Sequence, residues 1–120
     1  MTIRPSALRR ADVASLRAAW WALCAVRRTR RELRRRPVTE VRLAAPPPLP
    51  SDAKRGVEAV LRRLEPSCLE RALVLQRWLA AHGEPRVVVI GVTAAQDFRA
   101  HAWLDGEPAP GFHEIARVGA

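Results

Sequence analysis

Apolar and polar residues alternate at helical spacing in the first third of the chain. The large apolar residues recur every three or four positions, at Val13, Leu16, Trp20 and Leu23. Such spacing places side chains on one face of a helix, so it predicts an amphipathic helix from Ser6 to about Arg36, ended by Pro37. Cys24 lies beside Leu23 and is expected to be a core residue of that face.

The predicted first helix ends in a strongly basic segment. Its last turns carry Arg27, Arg28, Arg30, Arg31, Arg34, Arg35 and Arg36. Cations are favourable at a helix C-terminus, but so many like charges repel one another. We therefore expect the final turns to fray unless an anionic partner binds.

The next stretch suggests a boundary. Residues 38–43 alternate roughly and predict a short strand or an extended arm, and residues 44–50 read Ala-Ala-Pro-Pro-Pro-Leu-Pro. Proline-rich sequence favours polyproline II, which acts as a stiff spacer. The predicted organisation is a basic helical region and arm over residues 1–43, a linker over 44–50 and a second domain over 51–120.

Two further helices are predicted at the start of that second domain. Ser51 and Asp52 are good caps for the first of them. The other begins at Ser67, where serine followed by Glu70 three residues later forms a capping box. Cys68 is then the first helical residue, and Gly83 is a natural left-handed stop after His82.

The rest of the chain reads as strands. A β-branched run over residues 86–92 predicts a strand covered on both faces. Period-two alternation over residues 98–104 places His101 on the face opposite Phe98. Residues 112–118 favour a last strand. The predicted fold class is α+β, with helices packed on a small antiparallel sheet and a basic amphipathic helix at the N-terminus.

Composition and charge add a class of partner. The 120 residues suffice for one modest core, and the net charge of +9 suggests an acidic peptide, a nucleic acid or an anionic membrane surface. No signal peptide and no bilayer-length apolar stretch is visible, which favours a cytoplasmic protein with reduced thiols. The two cysteines and three histidines lack metal-ligand spacing, so neither a metal nor a cofactor is predicted.

Cys68 and His101 are the candidate catalytic pair. A thiol at a helix N-terminus lies at the positive end of the helix dipole, which stabilises the thiolate. The free amides of the first turn are suited to hold an oxyanion, and a histidine on a later strand supplies a base. The alternative is that Cys68 is a small buried hydrophobe and that His101 is packed beside Trp103.

A third group is expected to orient the histidine. Glu114 is the first candidate, because a returning final strand brings it roughly opposite His101. Asp105, four residues after His101, is the second. Either carboxylate is alternatively a solvated surface charge.

An ordered series of motifs carries a family resemblance. The series is Pro66-Ser67-Cys68-Leu69-Glu70-Arg71-Ala72-Leu73, Gly83-Glu84-Pro85, Val88-Val89-Ile90-Gly91-Val92 and Phe98-Arg99-Ala100-His101-Ala102-Trp103-Leu104. It resembles the transglutaminase-like leader peptidase of lasso-peptide biosynthesis. The resemblance implies a papain-like Cys-His-Asp protease, with Cys68 as nucleophile and His101 as base. The family's acid does not carry over, because His113 occupies its position here, so Glu114 is the expected acid and Asp105 the second choice.

The same resemblance implies partners. The substrate would be the leader peptide of a ribosomally made precursor, removed before an ATP-dependent macrocyclase closes the ring. A separate small leader-recognition protein would hold the leader. The basic N-terminal helix is then expected to contact that protein, the acidic leader or a membrane surface, unless it only packs on the protease domain with a solvated arginine face.

Two alternatives of other kinds stand beside the protease. The chain is alternatively a non-catalytic module that binds nucleic acid or the leader through its arginines, or a transglutaminase-like fold that only scaffolds the cyclase. Nucleic acid is not favoured, because no stacking set of aromatics accompanies the arginines.

Overall fold

The computed structural model describes residues 5–94, 96 and 98–119, with side chains from Asp12 onward. The helices are α1 (Pro5–Arg35), α2 (Lys54–Leu64) and α3 (Cys68–Ala81), and the strands are β1 (Val88–Val92), β2 (Ala100–Leu104) and β3 (His113–Val118). Two short 3-10 turns, Val38–Glu40 and Ser51–Ala53, lie between α1 and α2. This is a small α+β fold, as the sequence predicts.

The strands form an antiparallel sheet in the order β2-β1-β3. Val88 and Val89 on the central strand are both almost fully buried although they point to opposite faces. The prediction of a strand covered on both sides is therefore confirmed. On β2, Ala102 and Leu104 face the helices, and His101 and Trp103 face the other way.

The buried face of α1 differs from the predicted one. Its core residues are mostly small, namely Ala18, Trp21, Ala22, Ala25, Val26 and Thr29. Val13, Leu16 and Trp20, which the sequence predicts to be buried, point to solvent, and Trp20 is 67% exposed. Cys24 is also exposed, so its prediction as a core residue is wrong.

A glycine explains why the small residues face inward. A Cβ at Gly56 on α2 would lie 2.0 Å from the carbonyl oxygen of Ser15 and 3.2 Å from the amide nitrogen of Ala19. Helix α2 therefore approaches the backbone of α1 directly. Only the alanine-rich face of α1 permits such close packing, because larger side chains would hold the helices apart.

The proline-rich segment is held against α1 and α3 by hydrogen bonds to its backbone. The Trp21 indole donates to the Ala44 carbonyl (3.1 Å), and Arg77 Nε donates to the Leu43 carbonyl (3.1 Å). The two ring nitrogens of His82 lie 2.8 Å from the Trp78 carbonyl and 3.0 Å from the Leu49 carbonyl. The segment packs against α1 and α3, and the division of the chain into two domains stays a prediction.

The structure decides two local predictions between the first and second helices. Of the strand and the extended arm predicted for residues 38–43, the arm is formed, after a 3-10 turn at Val38–Glu40. Ser51 and Asp52 do not cap α2: they lie in the 3-10 turn that leads into it, and neither that turn nor α2 has a side-chain cap. Within the described residues, no helix has both the length and the apolar character needed to cross a bilayer.

Candidate functional site

The N-terminus of α3 is built as the sequence predicts. Ser67 is the N-cap, and its hydroxyl accepts a hydrogen bond from the Glu70 amide (3.2 Å), while Glu70 Oε1 accepts from the Ser67 amide (2.8 Å). The capping box places Cys68 at the first helical position, where amides have no acceptor within the helix. The half-buried Cys68 thiol thus lies at the positive end of a 14-residue helix.

Helix α3 presents Cys68 to the edge of the sheet. The Ala102 amide of β2 donates to Cys68 Sγ at 3.4 Å. Because the peptide C–N bond is about 1.33 Å, the sulfur lies within about 5 Å of the carbonyl carbon of His101. A hydrogen bond of this kind strengthens when the sulfur becomes an anion.

The outward-facing amides of β2 explain why the sulfur sits there. Arg99 accepts from Thr93 and Asp105 donates to Val87, so the odd-numbered residues of this segment turn their backbone groups toward β1. The even-numbered amides therefore point to the free edge. The Ala102 amide donates to Cys68 Sγ, and the Leu104 amide donates to Glu107 Oε1 at 2.9 Å.

His101 lies on the outer face of the sheet in an aromatic cluster. Its ring stacks on Trp103 with centroids 5.6 Å apart, and the ring of Phe112 lies 5.1 Å away. Among the described residues no hydrogen bond joins the ring to Cys68. The structure therefore brings the backbone of His101 beside the sulfur and packs its imidazole against aromatic rings.

A bulge determines where Glu114 points. Gly91 on β1 pairs with both His101 and Glu114, and the register shifts by one residue where β3 passes Ile115. The extra residue turns Glu114 to the outer face, on which His101 also lies. Two strand spacings separate the two residues by about 10 Å between Cα atoms. The Trp103 ring covers Gly91 between them.

Both candidate carboxylates contact Arg117 rather than His101. Glu114 forms an ion pair with Arg117 Nε, and Asp105 Oδ2 accepts from Arg117 Nη1 at 3.2 Å. The hydrogen bond that Arg117 donates to Glu114, followed by the one it donates to Asp105, raises the pKa of the exposed Arg117 guanidinium above its ordinary value. The choice between Glu114 and Asp105 as third member stays a prediction.

Sequence reasoning missed one residue beside the site, Arg30 of α1. Its Nε donates to Glu70 Oε2 at 3.1 Å, and its Nη2 donates to the Leu64 carbonyl at 3.2 Å. In the sequence Arg30 is one of seven arginines in a single run, 40 residues from Glu70. Nothing in that run distinguishes it, so only the packing of α1 on α3 reveals the contact.

A cavity adjoins the site. It has a volume of about 400 Å³ and lies beside β2, α2 and α3, with Leu104 and Glu107 on one side and Arg71, one helical turn beyond Cys68, on another.

Among the described residues, no group of three or more histidine, cysteine or carboxylate side chains could hold a metal ion.

Comparison with known proteins assigns the family. The family model of the transglutaminase-like superfamily matches residues 7–117, nearly the whole chain. The protein belongs to the transglutaminase-like superfamily. No curated protein and no solved structure matches the chain.

The family match includes the first helix as well as the candidate site. The match runs from α1 to β3, so the first helix belongs to the matched region together with the Cys68 helix and the sheet. The superfamily includes cysteine proteases. Cys68, at the start of α3, and His101, on the strand beside it, stay the predicted catalytic residues.

Proposed function

We propose that this protein is a cysteine peptidase that removes the leader from a ribosomally synthesised lasso-peptide precursor before macrocyclisation. The observation that carries the proposal is the position of Cys68 Sγ, at the first turn of α3 and 3.4 Å from the amide that follows His101. A cysteine that only fills the core can lie anywhere in it, whereas Cys68 lies at a helix N-terminus and beside the edge of a strand. The arrangement suits a nucleophile better than a filler of the core.

The chemistry requires a rearrangement of side chains, in which His101 leaves its aromatic stack. In substrate-free enzymes the hydrogen bonds between catalytic groups are often long and shorten when substrate binds. The His101 backbone is already in place beside the sulfur, so rotation of its side chain from the Trp103 stack toward the β2 edge would bring the imidazole to Cys68. His101 would then take the thiol proton.

The reaction proceeds in two steps. The Cys68 thiolate attacks the scissile carbonyl carbon, and a tetrahedral intermediate forms whose oxyanion the first-turn amides of α3 stabilise. The C–N bond breaks, His101 protonates the departing amine, and a thioester remains on the sulfur. Water, deprotonated by His101, then attacks the thioester and releases the leader carboxylate with the thiol restored.

Glu114 or Asp105 would orient His101 in this mechanism. Both now contact Arg117, so either must exchange that partner for the imidazole. Glu114 is the better candidate because the bulge in β3 places it on the same sheet face as His101.

The proposal includes its partners. The substrate is the leader of the precursor, a separate recognition protein holds it, and an ATP-dependent macrocyclase takes the cleaved product. The exposed stripe of Val13, Leu16 and Trp20 on α1, continued by the exposed Arg27 and Arg31, is the surface we assign to the recognition protein. Its apolar and cationic parts suit a partner with apolar and acidic side chains.

The test is leader release from a precursor peptide in the presence of the recognition protein. Replacement of Cys68 by Ala is expected to lower the rate by at least about 10³-fold, since the remaining site contributes only binding. Cys24→Ala removes the other free thiol and is the control. Because Cys24 lies beside Val13, Leu16 and Trp20, binding of the recognition protein to this variant is measured together with cleavage.

Equal cleavage by the wild type and the Cys68→Ala variant would contradict the proposal. Binding of the precursor without cleavage by the wild type would instead favour a scaffold that only presents the leader.

A further inference from the structure

Arg30 of helix α1 contacts the residues next to the candidate nucleophile. The Arg30 guanidinium donates to Glu70 Oε2 at 3.1 Å and to the Leu64 carbonyl at 3.2 Å. The Arg30 side chain is 37% exposed and the Glu70 side chain 12%, so this ion pair is better shielded from water than the surface pair of Arg117 with Asp105. Leu64 ends α2, and Glu70 lies in the first turn of α3.

Arg30 thus spans the connection between α2 and α3. That connection is Glu65, Pro66 and Ser67, and Glu65 adopts a left-handed conformation with φ of 45°. A side chain without the freedom of glycine is unfavourable there, so surrounding contacts must hold the turn. The two hydrogen bonds of Arg30 fix the backbone before the turn and the first helical turn after it.

The Glu70 carboxylate transmits this restraint to Cys68. One oxygen accepts from Arg30, and the other accepts from the Ser67 amide at 2.8 Å. Ser67 immediately precedes Cys68, whose sulfur is held on the opposite side by the Ala102 amide. The thiol is therefore fixed between α1, through Glu70, and the edge of β2.

We propose that Arg30 is a positioning residue for Cys68, and that α1 is in this way part of the functional site. The inference rests on the proposed role of Cys68 as a reactive thiol. Loss of Arg30 leaves the largely buried Glu70 carboxylate without its ion-pair partner, loosens the capping box, and lets the sulfur leave the position that the helix terminus and the Ala102 amide define.

The first readout needs no substrate. Iodoacetamide alkylation of Cys68 and Cys24 is followed by mass spectrometry in the same sample, so that exposed Cys24 is the internal reference. The ratio of the Cys68 rate to the Cys24 rate is expected to fall about threefold in Arg30→Met, because the thiol loses its fixed place at the helix terminus. Arg34→Met removes the same charge from another exposed site on α1 and should leave the ratio unchanged.

Two further variants separate positioning from folding. Arg30→Lys keeps the cation and should retain most of the ratio. Glu70→Gln breaks the ion pair from the other side but keeps an acceptor for Ser67, and should lower the ratio as Arg30→Met does. Arg30→Met and Glu70→Gln remove the same contact, so the alkylation ratio in the double variant should be no lower than in either single variant. An unchanged or raised ratio in Arg30→Met and Glu70→Gln, or additive effects in the double variant, would overturn the proposal.

Leader cleavage supplies the second readout. We expect kcat to fall by about tenfold to a hundredfold in Arg30→Met with little change in KM, since a misplaced nucleophile affects the reaction more than binding. A change in KM alone would contradict positioning. If alkylation responds as expected but no form of the protein cleaves the precursor, the proposed protease function fails and the positioning of Cys68 stands.

Discussion

The contact between α1 and α2 gives the sharpest test of the packing. Gly56 on α2 faces the backbone of Ser15 and Ala19, and a methyl group there would lie 2.0 Å from the Ser15 carbonyl oxygen. Real Cβ contacts essentially never fall below 3.0 Å. A Gly56→Ala substitution therefore requires the two helix backbones to separate by about 1 Å.

The magnitude follows from two opposing effects. Alanine is a better helix former than glycine by about 1 kcal/mol, which favours the variant. Overpacking of a closely fitted site costs about 1–3 kcal/mol and occasionally more. The obstacle here is backbone, which cannot rotate away, and moving it also loosens Ala18 and Ala22. We expect the upper end of that range to apply, for a net destabilisation of about 1–2 kcal/mol.

Urea unfolding followed by tryptophan fluorescence measures this change. The control is Ala59→Gly at an exposed position of the same helix, where helix propensity alone should cost about 1 kcal/mol. If Gly56→Ala proves as stable as the wild type or more stable, then α1 and α2 do not approach each other as closely as described, and the account of the alanine-rich face is wrong.

Two further substitutions test the sheet. Gln76→Leu should lower the free energy of unfolding by about 1–3 kcal/mol, because the buried amide donates to the carbonyls of Arg86 and Val118, both at 2.9 Å; thermal unfolding measures it. Gly91→Ala should cost about 1–3 kcal/mol and reduce the near-ultraviolet circular dichroism of the aromatic cluster, because the new methyl would lie 2.6 Å from the Trp103 ring. An unchanged unfolding midpoint in either variant would contradict the corresponding contact.

Local signals in the sequence predicted most of the site's framework. The capping box at Ser67 lies within four residues, so its outcome depends little on the rest of the fold, and the structure forms it as predicted. The same holds for the stop at Gly83, whose φ of 78° only glycine adopts freely.

Contacts between distant residues were not predictable in this way. The buried face of α1 depends on Gly56 in another helix. The spacing of the large apolar residues predicted the wrong face, because close packing on Gly56 requires small residues. The bulge at Ile115 depends on pairing with β1, and it alone decides the side of the sheet to which Glu114 points.

The sulfur of Cys68 also has a purely architectural task, because it satisfies an amide on an open strand border. Truncation to alanine removes a reacting group and an acceptor together, so a chemically dead form made that way exposes one backbone donor of β2. Serine retains an oxygen that can accept the hydrogen bond from the Ala102 amide. Serine is thus the gentler choice when an inert protein is wanted for capturing a bound precursor.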